Sequence, residues 1–191
     1  MIKRVKKETE LLYHGSPFVV KHPEIIIEPT RRKDFGDGFY CTTSYTQAEK
    51  WTKAKLRKAN KESGYVNIFH LSSEYENLNI LDFGEQPSIP WLDFIISGRT
   101  KSNFEHGYDI VKGPVANDDA FAEIEAFVAE GDFSTEKKHE LIQRLKPYKL
   151  RDQILFHTDR SLQVINFLDA NRVTIAKKTI KAQSKSYKPK L

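Results

Sequence analysis

One cysteine, Cys41, stands in the whole chain, so no internal disulfide can form. Long apolar runs are also missing: no stretch approaches the roughly 18 consecutive apolar residues of a membrane-spanning helix. The opening "MIKRVKKETELLYHGS" is basic and holds no apolar segment long enough for a signal peptide. A cytoplasmic setting is the expectation. The glycine templates of nucleotide binding are absent as well. There is no G-x-G-x-x-G after a strand and no G-x-x-x-x-G-K-[ST], so neither a Rossmann fingerprint nor a P-loop is supported. His14, His22, His70, His106, His139 and His157 show no H-x-x-x-H spacing, and there is no C-x-x-C. No metal site is expected.

What is present describes one globular domain. The 191 residues are enough to bury a core, and 39% hydrophobic with 30% charged residues sets the chain apart from disordered ones. The net charge of +5 is unevenly placed. Residues 177–191 hold six lysines and no acid, and residues 1–10 hold four basic and two acidic residues. Residues 11–176 carry 21 basic and 24 acidic residues and are therefore slightly acidic. The expected organisation is a single domain over 1–176 and a basic tail over 177–191. Such a tail is ordinarily a solvated end, and its functional alternative is contact with nucleic acid.

The pattern along the chain mixes strands and helices irregularly. "ETELLYHGSP" reads as a strand over about 10–14 closed by a turn, and "IIIEP" as a short strand or an extended loop. "GFYCTT" reads as a strand. A helix follows, started by Ser44 with Gln47 or Thr46 with Glu49, with Ala48, Trp51 and Ala54 inward, running to about Lys61 and ended by Gly64. "YVNIFHLS" and "LNILDF" alternate as strands. Pro90 to Ile96 reads as a short helix and "YDIVKGPVA" as a kinked strand. Two helices follow in "NDDAFAEIEAFVAEG" and "STEKKHELIQRLKP", then a strand in "DQILFHT". "DRSLQVINFLDAN" reads as a helix capped by Asp159 with Leu162, Ile165 and Leu168 inward, and "RVTIAKK" as a last strand. Irregular alternation favours an α+β domain over a doubly wound sheet.

Chemistry is carried by separated elements. "YHGS" ends the first strand with His14 and Gly15. "DFGDGFYCTTSYTQAEKW" puts Tyr40 on a strand and Trp51 in the next helix. "RDQILFHT" puts Gln153 at the start of a late strand. Together with "DIVKGPVAND" and "QILFHTDRSL", these stretches resemble the His-Tyr-Glu branch of the ADP-ribosyltransferase superfamily. They are most similar to small, toxin-like bacterial proteins of that fold, in which "LYHGS", "DFGxGFYxT…QAxxW", "DIVxGPVAxD" and "QxxFHTxxxL" occur in this order. The likeness runs from Leu12 to about Leu168.

The resemblance implies an ADP-ribosyltransferase-like split β-sandwich with surrounding helices. It implies NAD as substrate, cleavage of the nicotinamide–ribose bond and transfer of ADP-ribose to an unknown acceptor. It implies that His14 hydrogen-bonds the adenosine-side ribose and that the Gly15 backbone grips the nicotinamide amide, a close approach that suits glycine. Tyr40 would stack on the cationic nicotinamide ring, with Trp51 as a second aromatic. Gln153 departs from the glutamate of the best-known members. An amide can hydrogen-bond a ribose hydroxyl but cannot act as a general base or as a counter-charge. Asp109, Asp118 and Asp119 are candidate carboxylates. Arg31, Arg32 and Lys33 are candidates to meet the diphosphate, with Arg32 the chosen one. The resemblance also names a partner class, a small antitoxin-like protein. Two rival functions remain: a catalytically silent NAD or nucleotide-binding module, which Gln153 favours, and a nucleic-acid binder using the lysine tail. Outside the resemblance, Cys41 reads as a buried structural thiol rather than a nucleophile.

Overall fold

A computed structural model describes residues 10–28, 33–101, 104–115, 118–146, 148 and 150–176. Its organising strand is β3, Ser63–Leu71, whose side chains alternate between buried and partly exposed as a half-covered strand requires. Strand β1, Leu11–Ser16, lies antiparallel along one edge of it, from Leu11 opposite His70 to Ser16 opposite Tyr65. Strand β7, Ile165–Thr174, lies antiparallel along the other edge, with a bulge between Ile68 and Phe69. These three form one sheet in the order β1-β3-β7.

The second sheet has four strands in the order β2-β6-β5-β4. They are β2 (Phe39–Cys41), β4 (Ile80–Asp82), β5 (Ile110–Val115) and β6 (Arg151–Phe156). Only the β4–β5 pair is parallel. That pair needs a crossover, which helix α2 (Ile89–Thr100) supplies. Helices α1 (Tyr45–Ala59), α3 (Asp118–Glu130), α4 (Thr135–Leu145) and the single turn α5 (Asp159–Leu162) complete the α+β architecture.

Two apolar layers hold the sheets. Leu12, Phe69 and Ile165 of the first sheet pack with Phe39, Cys41, Ile110, Ile154 and Phe156 of the second. On its other face the second sheet carries Val111 and Leu155 against Trp91, Leu92, Ile95, Ile124, Leu141 and Leu145 of α2, α3 and α4. Strand β6 is therefore buried on both faces, and "ILF" is continuously apolar rather than alternating. Cys41 is fully buried and its thiol is pushed far above the ordinary range by that burial, which agrees with a structural thiol.

Several sequence expectations need correction. Helix α1 faces inward with Ala48, Thr52 and Leu56, while Ala54 is exposed and Trp51 half-buried. It ends at Asn60, which takes the left-handed cap conformation at φ 52°, and Gly64 belongs to β3 instead. Its cap is Ser44, whose hydroxyl accepts from the Gln47 amide. The expected helix over "DRSLQVINFLDAN" is only the single turn α5. Thr158 rather than Asp159 caps it, in a reciprocal box with Ser161. Leu162, Ile165 and Leu168 have helical spacing. The winning period is two: Ile165 is buried and Phe167 packs on the inter-sheet layer, while Leu168 is 54% exposed. "IIIEP" forms no strand over its described part.

Asp109 ties three elements together. One carboxylate oxygen accepts from the Thr158 hydroxyl at 2.7 Å, and the other accepts from the Asn79 amide at 2.9 Å and from Arg160. Its own carbonyl accepts from the His157 amide at 2.9 Å. The Arg160 hydrogen bond is the main reason its carboxyl titrates low, at about 2. Asp109 is thus committed to structure and is not a spare carboxylate for catalysis. Asp109→Asn should cost about 1–3 kcal/mol of stability at pH 7, because it removes the charge from a buried carboxylate with several donors, although its Arg160 partner is mostly exposed. Denaturant unfolding checks this, and a change below about 0.5 kcal/mol would contradict the role.

Candidate functional site

The two sheets are joined by hydrogen bonds as well as by packing. Tyr13 of β1 and Thr42, just past β2, exchange backbone hydrogen bonds of 2.8 and 3.0 Å. This seam sets the first two sequence motifs side by side. Asp152 fixes the turn that follows, accepting from the Thr42 and Thr43 hydroxyls and from the Thr43 amide at 2.9–3.0 Å.

His14 sits at the seam and is 5% exposed. Its ring stacks on Phe39 with centroids 4.3 Å apart, and its Nδ1 lies 2.6 Å from the Tyr40 carbonyl oxygen. A carbonyl only accepts, so Nδ1 carries the proton and donates. Burial, with the nearby Lys55 cation next, lowers the ring's pKa to about 3, so the imidazole is neutral at neutral pH. The tautomer then leaves Nε2 as a lone-pair acceptor, with no hydrogen-bond partner among the described residues.

Tyr40 follows from the glycine turn. Gly36 and Gly38 take φ of 94° and 144°, which L side chains rarely adopt. A Cβ on Gly38 would also lie 2.4 Å from the Phe156 carbonyl oxygen. The turn folds back over the phenol. Tyr40 donates to the Gly36 carbonyl at 2.7 Å and accepts from the Phe35 amide at 3.3 Å. Burial first, and the Asp34 charge next, keep this phenol protonated far beyond its usual range. Tyr40 pairs with Leu155 across β2 and β6. Gln153 lies two residues from Leu155, so Tyr40 and Gln153 share one face of the second sheet. Gln153 is 5% exposed, and its Nε2 donates to Asp34 Oδ2 at 3.4 Å.

The remaining expected residues divide. Gly15 lies beside His14, but the sheet-to-helix contact explains its glycine. A Cβ there would meet the Ala48 carbonyl oxygen at 2.3 Å and Thr52 Oγ1 at 2.8 Å. Its carbonyl accepts from Lys55 Nζ at 2.6 Å. Trp51 is not brought to Tyr40: among the described residues no ring contact joins them, because Thr52 takes the inward position on α1. Arg31 and Arg32 lie outside the described residues, as do the side chains of Asp118 and Asp119 and the tail over 177–191. Lys33 contacts Glu28 and Asp37 at 3.4 and 3.6 Å and stands 6.0 Å from the Tyr40 ring centroid. The residues missed by sequence reasoning are Asp34, Arg99, Lys55 and Asp152. Asp34 stood in the quoted "DFGDGFY", and Arg99 is the lone cation of an apolar helix; both were visible signals.

Two cavities lie away from His14, Tyr40 and Gln153. One of about 720 Å³ is lined by Thr43, Asp82, Gly84, Lys112, Arg151 and Asp152, and one of about 670 Å³ by Phe18, Lys61 and Tyr65 among others. His14 and Gln153 are each 5% exposed and Tyr40 is half-buried. No group of three or more metal-ligating side chains occurs among the described residues.

A neutral buried histidine makes stability pH-dependent. Above pH 6.5 His14 is neutral folded and unfolded; below it the unfolded chain takes a proton that the folded chain refuses down to about 3. Stability should therefore fall as pH drops from 6.5 towards 3, by about 1.4 kcal/mol per unit from this ring. Unfolding of the wild type and His14→Gln at pH 7 and 4.5 checks this: the wild type should lose more, and equal losses would contradict a neutral seam histidine. Gly15→Ala should cost about 1–3 kcal/mol by forcing α1 off β1. Thermal unfolding measures it, and an unchanged midpoint would contradict the contact.

Neither the curated proteins nor the solved structures contain a match to this chain. A family model described as "Protein of unknown function (DUF3990)" matches residues 11–167. That span holds His14, the glycine turn, Tyr40, the seam and Gln153, and the chain belongs to this family of unknown function.

Proposed function

We propose that the protein is an NAD-dependent ADP-ribosyltransferase and that its substrate site lies around the edge strand β2, where the His14, Tyr40 and Gln153 stretches meet. The observation that carries this is the joint placement of the motif residues. His14 Nδ1 is anchored on the Tyr40 carbonyl at 2.6 Å, and Tyr40 and Gln153 share one sheet face. Three stretches far apart in sequence thus meet at β2, with the His14 ring on its Phe39 side and Tyr40 and Gln153 on its opposite, helix-covered face. The two-sheet α+β architecture is compatible with the split sandwich that the sequence resemblance implies.

In this reaction the bond from the nicotinamide nitrogen to ribose C1′ breaks, and its electron pair returns to the nicotinamide ring. Positive charge spreads over ribose C1′ and the ring oxygen. A lone pair from the acceptor then bonds C1′, and the acceptor loses its proton. His14 Nε2, lacking a proton, accepts from a ribose hydroxyl. The Tyr40 ring supplies a π face for the cationic ring. Gln153 Oε1 accepts from a hydroxyl of the other ribose. For the Gly15 carbonyl to take the carboxamide N–H, Lys55 must first leave it, because its ammonium holds that oxygen now. The proposal extends to a cytoplasmic, toxin-like enzyme with a small antitoxin-like protein partner, on the strength of the sequence resemblance.

A second reading has its own observation. Gln153 presents no carboxylate, and its amide is already bonded to Asp34. A binding module that holds NAD without cleaving it would need no more than this. Purified protein incubated with nicotinamide-labelled NAD and cell extract separates the cases. The enzyme should release nicotinamide and label a product, and His14→Ala and Tyr40→Ala should each lower release by about 100-fold or more. NAD-dependent thermal stabilisation without release would favour the binding module. Neither stabilisation nor release would refute both.

A further inference from the structure

The carboxylate that meets Gln153 comes from the loop before β2. Helix α2 approaches that loop closely at Gly98, where a Cβ would lie 2.8 Å from the Asp34 carbonyl oxygen and 2.9 Å from that of Lys33. The next residue, Arg99, is thereby delivered to the Asp34 side chain. Arg99 Nε and Nη2 both donate to Asp34 Oδ1, at 2.9 and 2.6 Å, and its Nη1 donates to Glu125 at 2.8 Å. The guanidinium also lies over the Phe121 ring at 4.5 Å. The Arg99 side chain is 6% exposed and that of Asp34 15%. Two hydrogen bonds from a buried guanidinium hold Asp34 in one orientation, and its second oxygen, Oδ2, is the one that meets Gln153.

An ionised carboxylate has no proton to give, so the Gln153 atom facing it is the amide nitrogen. That contact decides which way the amide points. Its oxygen, Oε1, is left as an acceptor, and no described residue donates to it. A glutamate at the same place would set two buried carboxylates together, an arrangement in which one is forced to hold a proton.

We propose that Asp34, clamped by Arg99, is the positioning residue of the site: it turns the Gln153 amide so that its oxygen is presented to a ligand hydroxyl, and its charge is the reason an amide stands at position 153. Asp34 acts through Gln153 and touches no substrate. The identity of that hydroxyl, on the ribose next to nicotinamide, rests on the transferase proposal above; the coupling of Asp34 to position 153 does not.

Three variants of the full chain test it: Gln153→Glu, Asp34→Asn and the double variant. In Gln153→Glu the new carboxyl should titrate above its ordinary value, near 4.3, so relative stability is retained at low pH and lost as pH rises. Its melting temperature relative to wild type should fall between pH 4 and 8, by about 3–5 °C for each unit of that elevation. The double variant should not show this fall, since the amide introduced at position 34 can donate to the carboxylate introduced at position 153. Nicotinamide release should drop about 10-fold or more in Gln153→Glu and in Asp34→Asn. It should recover about 10-fold in the double variant over Gln153→Glu, which a merely structural role would not produce. A pH–melting profile of Gln153→Glu that parallels wild type, or that Asp34→Asn leaves unaltered, would overturn the coupling whatever NAD does. Coupling with no NAD binding or release in any form, wild type included, would uphold the coupling and defeat the transferase proposal instead. Release that falls in Asp34→Asn but stays down in the double variant would overturn the positioning role.

Discussion

Everything at the candidate site depends on how one sheet is joined to the other. Among the described residues the hydrogen bonds that do this are the Tyr13–Thr42 backbone pair and the His14 ring on the Tyr40 carbonyl. An edge strand ordinarily leaves a row of unpaired donors and acceptors. Here the edges of β1 and β2 meet over a single residue pair and then part. Where they part, a histidine ring takes over from the backbone. Because it is buried at that place, it stays neutral, and because its partner is a carbonyl, its tautomer is settled. A sheet junction has thereby fixed the chemistry of an imidazole.

The same economy holds on the second sheet. Its outer face is covered by α2, α3 and α4, an apolar layer in which polar groups are costly unless paired. Gln153 and Asp34 are the polar groups at the rim of that layer, and both have partners. Arg99 is the residue that makes this possible. It is carried on a helix that is otherwise apolar on the same stretch, and it neutralises a carboxylate that would otherwise face the sheet alone. The site is therefore tightly packed. Lys55 closes on the Gly15 carbonyl and the glycine turn closes over Tyr40. The glycine-rich stretch serves the aromatic ring, turning the chain so that Tyr40 can be held by Gly36 and Phe35, and its Gly36 and Gly38 amides are already bonded to the Lys33 and Ile26 carbonyls.

Much of this was legible in the sequence. Strands β1, β2, β5 and β6 follow from short apolar runs closed by turn residues, and helices α1 and α4 from Ser44 and Ser134 as caps. The adjacency of His14 to Tyr40 was reachable only through motif order, since no local rule brings residues 26 apart into contact. The failures have physical causes. The segment after Asp159 carries apolar residues at helical spacing, yet pairing with β3 over nine residue pairs outweighs one helix, and Leu168 is left exposed at the bulge. Trp51 looked inward because tryptophan is large and apolar. The tight approach of α1 to Gly15 instead demands a small residue, and Thr52 takes the place, bonding Ala48 and Tyr65 carbonyls through its hydroxyl. Asp109 looked like a spare acid because its Arg160 and Thr158 partners lie about fifty residues downstream.

The most direct measurement is the protonation of the His14 ring nitrogens by nitrogen-15 NMR at pH 7, with and without NAD. A neutral ring with the proton on Nδ1 is expected in the free protein, and the unprotonated Nε2 resonance should move as NAD is added. A charged ring, a proton on Nε2, or an Nε2 resonance indifferent to saturating NAD would contradict a hydroxyl-accepting histidine at the seam.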